Sequence, residues 1–144
     1  MPESWNHDIR MICMKKGKKT RVLIIDDEKF FRDVLGKEFS ESGFEVFTAE
    51  DGGVGFDVYQ DVRPDVVIVD KVMPNVGGTR FLKMAHDLDW SKDVIFVTVS
   101  SMIKEPPHEH NRDVLGSRVH IPKFTKPVDI VILVEQLITR KASS

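Results

Sequence analysis

Apolar and polar positions switch between two periods along the chain. Val22 to Ile25 is a continuous β-branched and leucine run that stops at Asp26-Asp27, the pattern of a buried strand. Phe30, Phe31, Val34, Leu35 and Phe39 then recur at helical spacing, and Gly43 marks the stop. Phe44 to Ala49 alternates as a second strand. Val54, Phe56, Val58, Tyr59 and Val62 predict a second helix, ended by Pro64. Gly53 and Gly55 weaken that helix by about 1 kcal/mol each. Val66 to Val69 is a third buried strand running into Asp70. Pro74, Gly77 and Gly78 predict a loop, and Phe81, Leu82, Met84, Ala85 and Leu88 a third helix. Val94 to Val99 reads as a fourth strand, Val119 to Lys126 as a short fifth, and Pro127 to Arg140 as a terminal helix. Residues 101–117 take no assignment, because Pro106-Pro107 breaks any helix there.

Strand and helix alternate through one domain, which predicts an α/β fold: a five-stranded parallel sheet, doubly wound, with helices on both faces. Continuous apolar strands agree, since both sheet faces are then covered. Residues 1–20 stand apart. They lack periodicity and carry Lys15, Lys16, Lys18 and Lys19, so they predict a flexible basic arm before a domain at 21–141.

Length and composition narrow the classes. A chain of 144 residues suits one domain, and 41% hydrophobic with 31% charged residues is a soluble balance. A net charge of −2 argues against a general nucleic-acid binder. Cys13 is the only cysteine, which excludes a disulfide framework or multi-cysteine zinc site. No apolar run approaches the ~20 residues of a membrane span. Residues 1–20 lack a secretory core, so a cytoplasmic location with no membrane contact is expected.

The chemistry collects at strand ends, where open parallel sheets bind ligands. Asp26 and Asp27 follow the first strand and Asp70 the third. Carboxylates converging there invite a hard divalent cation, and Mg²⁺ suits a site of few carboxylates and several waters. Thr98 and Ser100 add hydroxyls at the end of strand four, and Lys126 an ammonium at strand five. Carboxylate nucleophile, metal, hydroxyl and lysine together compose a phosphoryl-transfer site.

With these residues in view, the chain resembles the receiver domain of two-component response regulators. The matching pieces are VLIIDDE at 22–28, AEDG at 49–52, PDVVIVD at 64–70, MPNVGG at 73–78, VIFVT at 94–98 and KP at 126–127. The resemblance implies a flavodoxin-like sheet of order 2-1-3-4-5. It implies Asp70 as phosphoacceptor, and Mg²⁺ held by Asp26, Asp27, Asp70 and the main-chain carbonyl of Val72. Lys126 becomes the phosphoryl-contacting lysine and Thr98 the switch hydroxyl, with Ser100 as the alternative register. The implied donor is a sensor histidine kinase or phosphotransfer protein, and the product an aspartyl phosphate. Such a domain catalyses only its own phosphorylation and dephosphorylation.

Three departures keep other readings open. Val99, after Thr98, is bulkier than the small residue usual in the family. The segment between strands four and five holds two prolines, and its His108 and His110 are read as solvated. The family often has an aromatic three residues before its lysine, where counting from Lys126 gives Lys123, with Phe124 read as core. An unphosphorylated pseudo-receiver and a Mg²⁺-dependent phosphohydrolase are the alternative functions. After the terminal helix only Ala142, Ser143 and Ser144 remain, so output is expected through protein contact. Ile130 to Val134 are apolar in succession, which turns either Val131 or Ile132 outward and predicts a homodimer or target contact on that helix.

Overall fold

A computed structural model describes residues 18–71, 73, 77–101 and 119–143. Five strands form one parallel sheet: β1 (Arg21–Ile25), β2 (Glu45–Ala49), β3 (Val66–Asp70), β4 (Ile95–Ser100) and β5 (Val119–Pro122), in the order β2-β1-β3-β4-β5. The helices are α1 (Lys29–Glu41), α2 (Gly52–Val62), α3 (Gly78–His86) and α4 (Pro127–Ser143), with a 3-10 turn at Asp89–Asp93. Of residues 1–20, only 18–20 are described. Their lysines are exposed, while Thr20 is buried and its carbonyl accepts from Glu45. Of the segment left without assignment only Ser101 is described, and His108 and His110 lie outside the described residues.

Strand alternation builds two cores. Val22, Ile24, Val66, Ile68, Val97 and Val99 face α1 and α4, where they pack with Leu35, Phe39, Ile130 and Val134. Leu23, Ile25, Val67, Val69 and Phe96 face α2 and α3, with Tyr59, Phe81 and Leu82. β3 and β4 are buried along their whole length, which explains why they read as unbroken apolar runs. Each such side chain contributes roughly 1.5–3 kcal/mol of burial, so the sheet's centre dominates the stability.

Two glycines set distances between layers. A Cβ on Gly55 would stand 2.6 Å from Ile25 Cδ1, so α2 gives up helix propensity for close approach to β1. A Cβ on Gly78 would stand 2.2 Å from the Asp70 carbonyl oxygen. Gly78, expected in a loop, is instead the first residue of α3 and brings that helix against the end of β3. On α4, Val131 is buried, whereas Val128 and Ile132 are each 45% exposed, one turn apart. The outward apolar position is therefore Ile132.

Candidate functional site

β1 and β3 are neighbours in register, Val22 beside Val66 through Ile25 beside Val69. Extending this pairing by one residue brings Asp26 level with Asp70 at the carboxyl edge. Both share the alternation of Ile24 and Ile68, so they belong to the α1/α4 face. Asp26 is fully buried, Asp70 nearly so, and Asp27 exposed. One ligand oxygen from each of the three lies within 4.8 Å of the others.

The lysine that the structure brings to these carboxylates is Lys123, whereas the expected Lys126 is exposed. Lys123 Nζ donates to Asp26 Oδ1 at 2.9 Å, to Asp70 Oδ2 at 3.2 Å and to Glu28 Oε1. The Phe31 ring lies 5.0 Å from the same ammonium. β5 ends at Pro122, short of the expected Lys126, because the chain turns there: the Thr125 hydroxyl donates to the Pro122 carbonyl at 2.7 Å. Lys126 is left exposed, its carbonyl accepting from Asp129 and Ile130 to open α4. Alternation could have found the right residue, since Ile121 packs on the α1/α4 core and Lys123 follows it by two. Phe124, read as core, is 66% exposed.

Thr98, the expected switch hydroxyl, lies near the end of β4. It pairs with Val69, on the α2/α3 face, and its hydroxyl meets His120 Nδ1 at 2.8 Å. Ser100 shares that parity. Val99 pairs with Asp70 but is fully buried core among the α1/α4 residues. Counted from Lys123, the position three earlier is His120, an aromatic ring after all. Burial, then the charge of Lys71, holds the His120 pKa below its usual value. Val72 lies outside the described residues.

The electrostatics fit a cation. Burial above all, with the Asp70 charge, raises Asp26 to about 6, against the lowering effect of bonds from Lys123 and the Glu28 N–H. Asp26 Oδ2 is the one buried side-chain polar atom among the described residues with no hydrogen-bond partner. Burial works against a charged Lys123, yet its bonds to Glu28 and Asp26 and the two aspartate charges outweigh that and hold its pKa above the usual value. An unmatched buried carboxylate oxygen beside two more carboxylates suits an oxygen-seeking divalent ion.

A five-stranded doubly wound sheet with an acidic, lysine-braced carboxyl edge defines the class. Residues 22–135 match the model of the response regulator receiver domain, and the chain belongs to that family. It is 32% identical over 113 residues to sporulation initiation phosphotransferase F of Bacillus subtilis, covering 76% of this chain and 84% of the relative. It is 33% identical over 84 residues to regulatory protein AtoC of Escherichia coli, covering 58% of this chain but only 18% of that protein. A CheY-like receiver domain of Methanospirillum hungatei superposes with a TM-score of 0.76 at 21% identity, covering 88% of this chain and 98% of the other. Chemotaxis response regulator CheY4 of Vibrio cholerae gives 0.74 at 24%, covering 84% and 99%. The chain is thus a receiver domain of the two-component response-regulator type. No helix among its described residues is long and apolar enough to cross a membrane.

Proposed function

We propose that Asp70 accepts a phosphoryl group from the phosphohistidine of a histidine kinase or phosphotransfer protein. The observation that carries this is the convergence on Asp70 of Asp26 and Asp27, within 4.8 Å, and of Lys123 Nζ, at 3.2 Å. Asp26, Asp27 and Asp70, with the main-chain carbonyl of Val72, would hold Mg²⁺. When bound, the ion supplies charge neutralisation for the phosphoryl oxygens. An Asp70 carboxylate oxygen attacks phosphorus in line as the P–N bond breaks. The bonding electrons stay on the imidazole nitrogen of the donor. Lys123 remains beside Asp70 and faces the incoming negative charge.

The hydroxyl for that group is, in this reading, Thr98, whose Oγ1 meets His120 Nδ1 at 2.8 Å. The Lys123 N–H bond to the Ser100 carbonyl, 2.9 Å, keeps β5 in register with the end of β4. The domain acts on itself and not as a turnover enzyme, in the cytoplasm where such donors present their phosphohistidine. Its output is a protein contact, for which Val128 and Ile132 on α4 offer an exposed apolar pair. With Val99 in the core, its bulk gives no support to an unphosphorylated pseudo-receiver.

Incubation with acetyl phosphate and Mg²⁺ tests this by intact mass. One acid- and base-labile phosphoryl adduct per chain is expected, absent from Asp70→Asn. Labelling that survives in Asp70→Asn would remove the assignment, and rapid repeated turnover of phosphate esters would make the protein an enzyme instead.

A further inference from the structure

Glu28 has a part at this site that its position does not advertise. Its side chain is 61% exposed, on the rim, just before α1 begins. Its backbone N–H donates to Asp26 Oδ1 at 2.8 Å, which ties the rim to the site floor. Its carboxylate turns back to Lys123 Nζ. An ammonium has three N–H donors, and three carboxylates take them here: Asp26, Asp70 and Glu28. A divalent ion needs oxygens from two of those three, Asp26 and Asp70. It has no equivalent claim on Glu28, which lies outside the acidic triad. Ion and ammonium therefore compete for two carboxylates, and both carry positive charge.

We propose that Glu28 is a positioning residue: it keeps Lys123 anchored at the rim when a divalent ion takes Asp26 and Asp70, so that both cations fit one site. This rests on the phosphoacceptor reading above. Without Glu28, Lys123 has only the two shared aspartates, and the ion must displace it from both. The effect should act through Lys123, and not as a loss of general negative charge. It should also depend on reach, because the carboxylate must span from the rim to Nζ.

Calorimetric titration with Mg²⁺ alone tests it. Glu28→Gln should weaken Mg²⁺ binding two- to fivefold, the span of a partly exposed ion pair. Glu28→Asp keeps the charge but shortens the arm, and should weaken binding to a similar degree. In a Lys123→Ala background Glu28→Gln should change affinity far less, because the residue it positions is gone. The proposal is overturned if Glu28→Gln binds Mg²⁺ as the natural chain does, if Glu28→Asp is fully active in binding, or if the loss persists undiminished without Lys123. Should Lys123→Ala fail to fold, the Glu28→Asp arm still decides between reach and charge. A natural chain that binds no Mg²⁺ would fail the underlying reading, whereas normal binding insensitive to Glu28 fails this inference alone.

Discussion

At the scale of residues, two lysines three positions apart have opposite fates. Lys123 is 9% exposed and bonded to three carboxylates, while Lys126 lies in solvent at the start of α4. Truncating the buried one leaves Asp26 and Asp70 facing each other without a counter-charge, and removes the cation beside the proposed phosphoacceptor. Lys123→Ala should slow acetyl phosphate labelling at least tenfold, and Lys126→Ala should stay within twofold of the natural chain. The reverse order would return the role to Lys126. Asp26 carries a second expectation. Its acid is held at about 6 in the fold against 3.8 for the free side chain. Between those values the folded state keeps a proton that the unfolded chain loses, so stability without metal falls as pH rises through that window. Above it the ionised carboxylate costs about 1–3 kcal/mol. In chelator, Asp26→Asn should therefore melt higher than the natural chain at pH 7.5 and show little slope between pH 4 and 6. Equal melting curves for the two at pH 4 and at pH 7.5 would mean that burial of Asp26 does not destabilise the fold.

At the scale of elements, α4 shows how a helix with too many apolar residues is sorted. Ile130, Val131 and Val134 turn to the sheet, and Val128 and Ile132 turn away. Ile132→Glu should change stability by no more than about 0.5 kcal/mol, as at other exposed sites. Val131→Glu places an unpaired charge in the core and should unfold the domain at ambient temperature. Guanidinium unfolding followed by circular dichroism separates the two, and a tolerated Val131→Glu would put the helix in the other phase. The element plan was legible because the strands are buried on both faces and so differ sharply from the helices in period. The Asp residues were legible because they stand at the ends of such runs. β5 was not, since its four residues are half-buried and carry little pattern. The KP dipeptide drew the strand on to Lys126, although the Thr125 turn ends it at Pro122. The face of Thr98 was not legible for a related reason: a hydroxyl near a strand end says nothing of its face until the partner register is known.

At the scale of the whole molecule, charge is distributed against stability. The described chain gathers Asp26, Asp27, Glu28 and Asp70 at one edge with Lys123 among them, although the full sequence carries only −2. The two cores on either side of the sheet must supply the stability that this edge spends. An ion that binds only the folded arrangement stabilises it by mass action, about 2.7 kcal/mol at a hundredfold excess over Kd. For a domain of this size that corresponds to a rise of roughly 5–10 °C in Tm. Thermal unfolding in saturating MgCl₂ should show such a rise over the chelated protein, whereas NaCl of equal ionic strength should give a much smaller one, since screening acts on the repulsion without filling the site. Asp27 is the exposed member of the triad and the one whose loss least disturbs the core. Asp27→Ala should keep the melting point of the chelated protein and lose most of the Mg²⁺ rise. A rise of the same size in Asp27→Ala, or one that NaCl reproduces, would mean that Mg²⁺ only screens the acidic edge and occupies no defined position there.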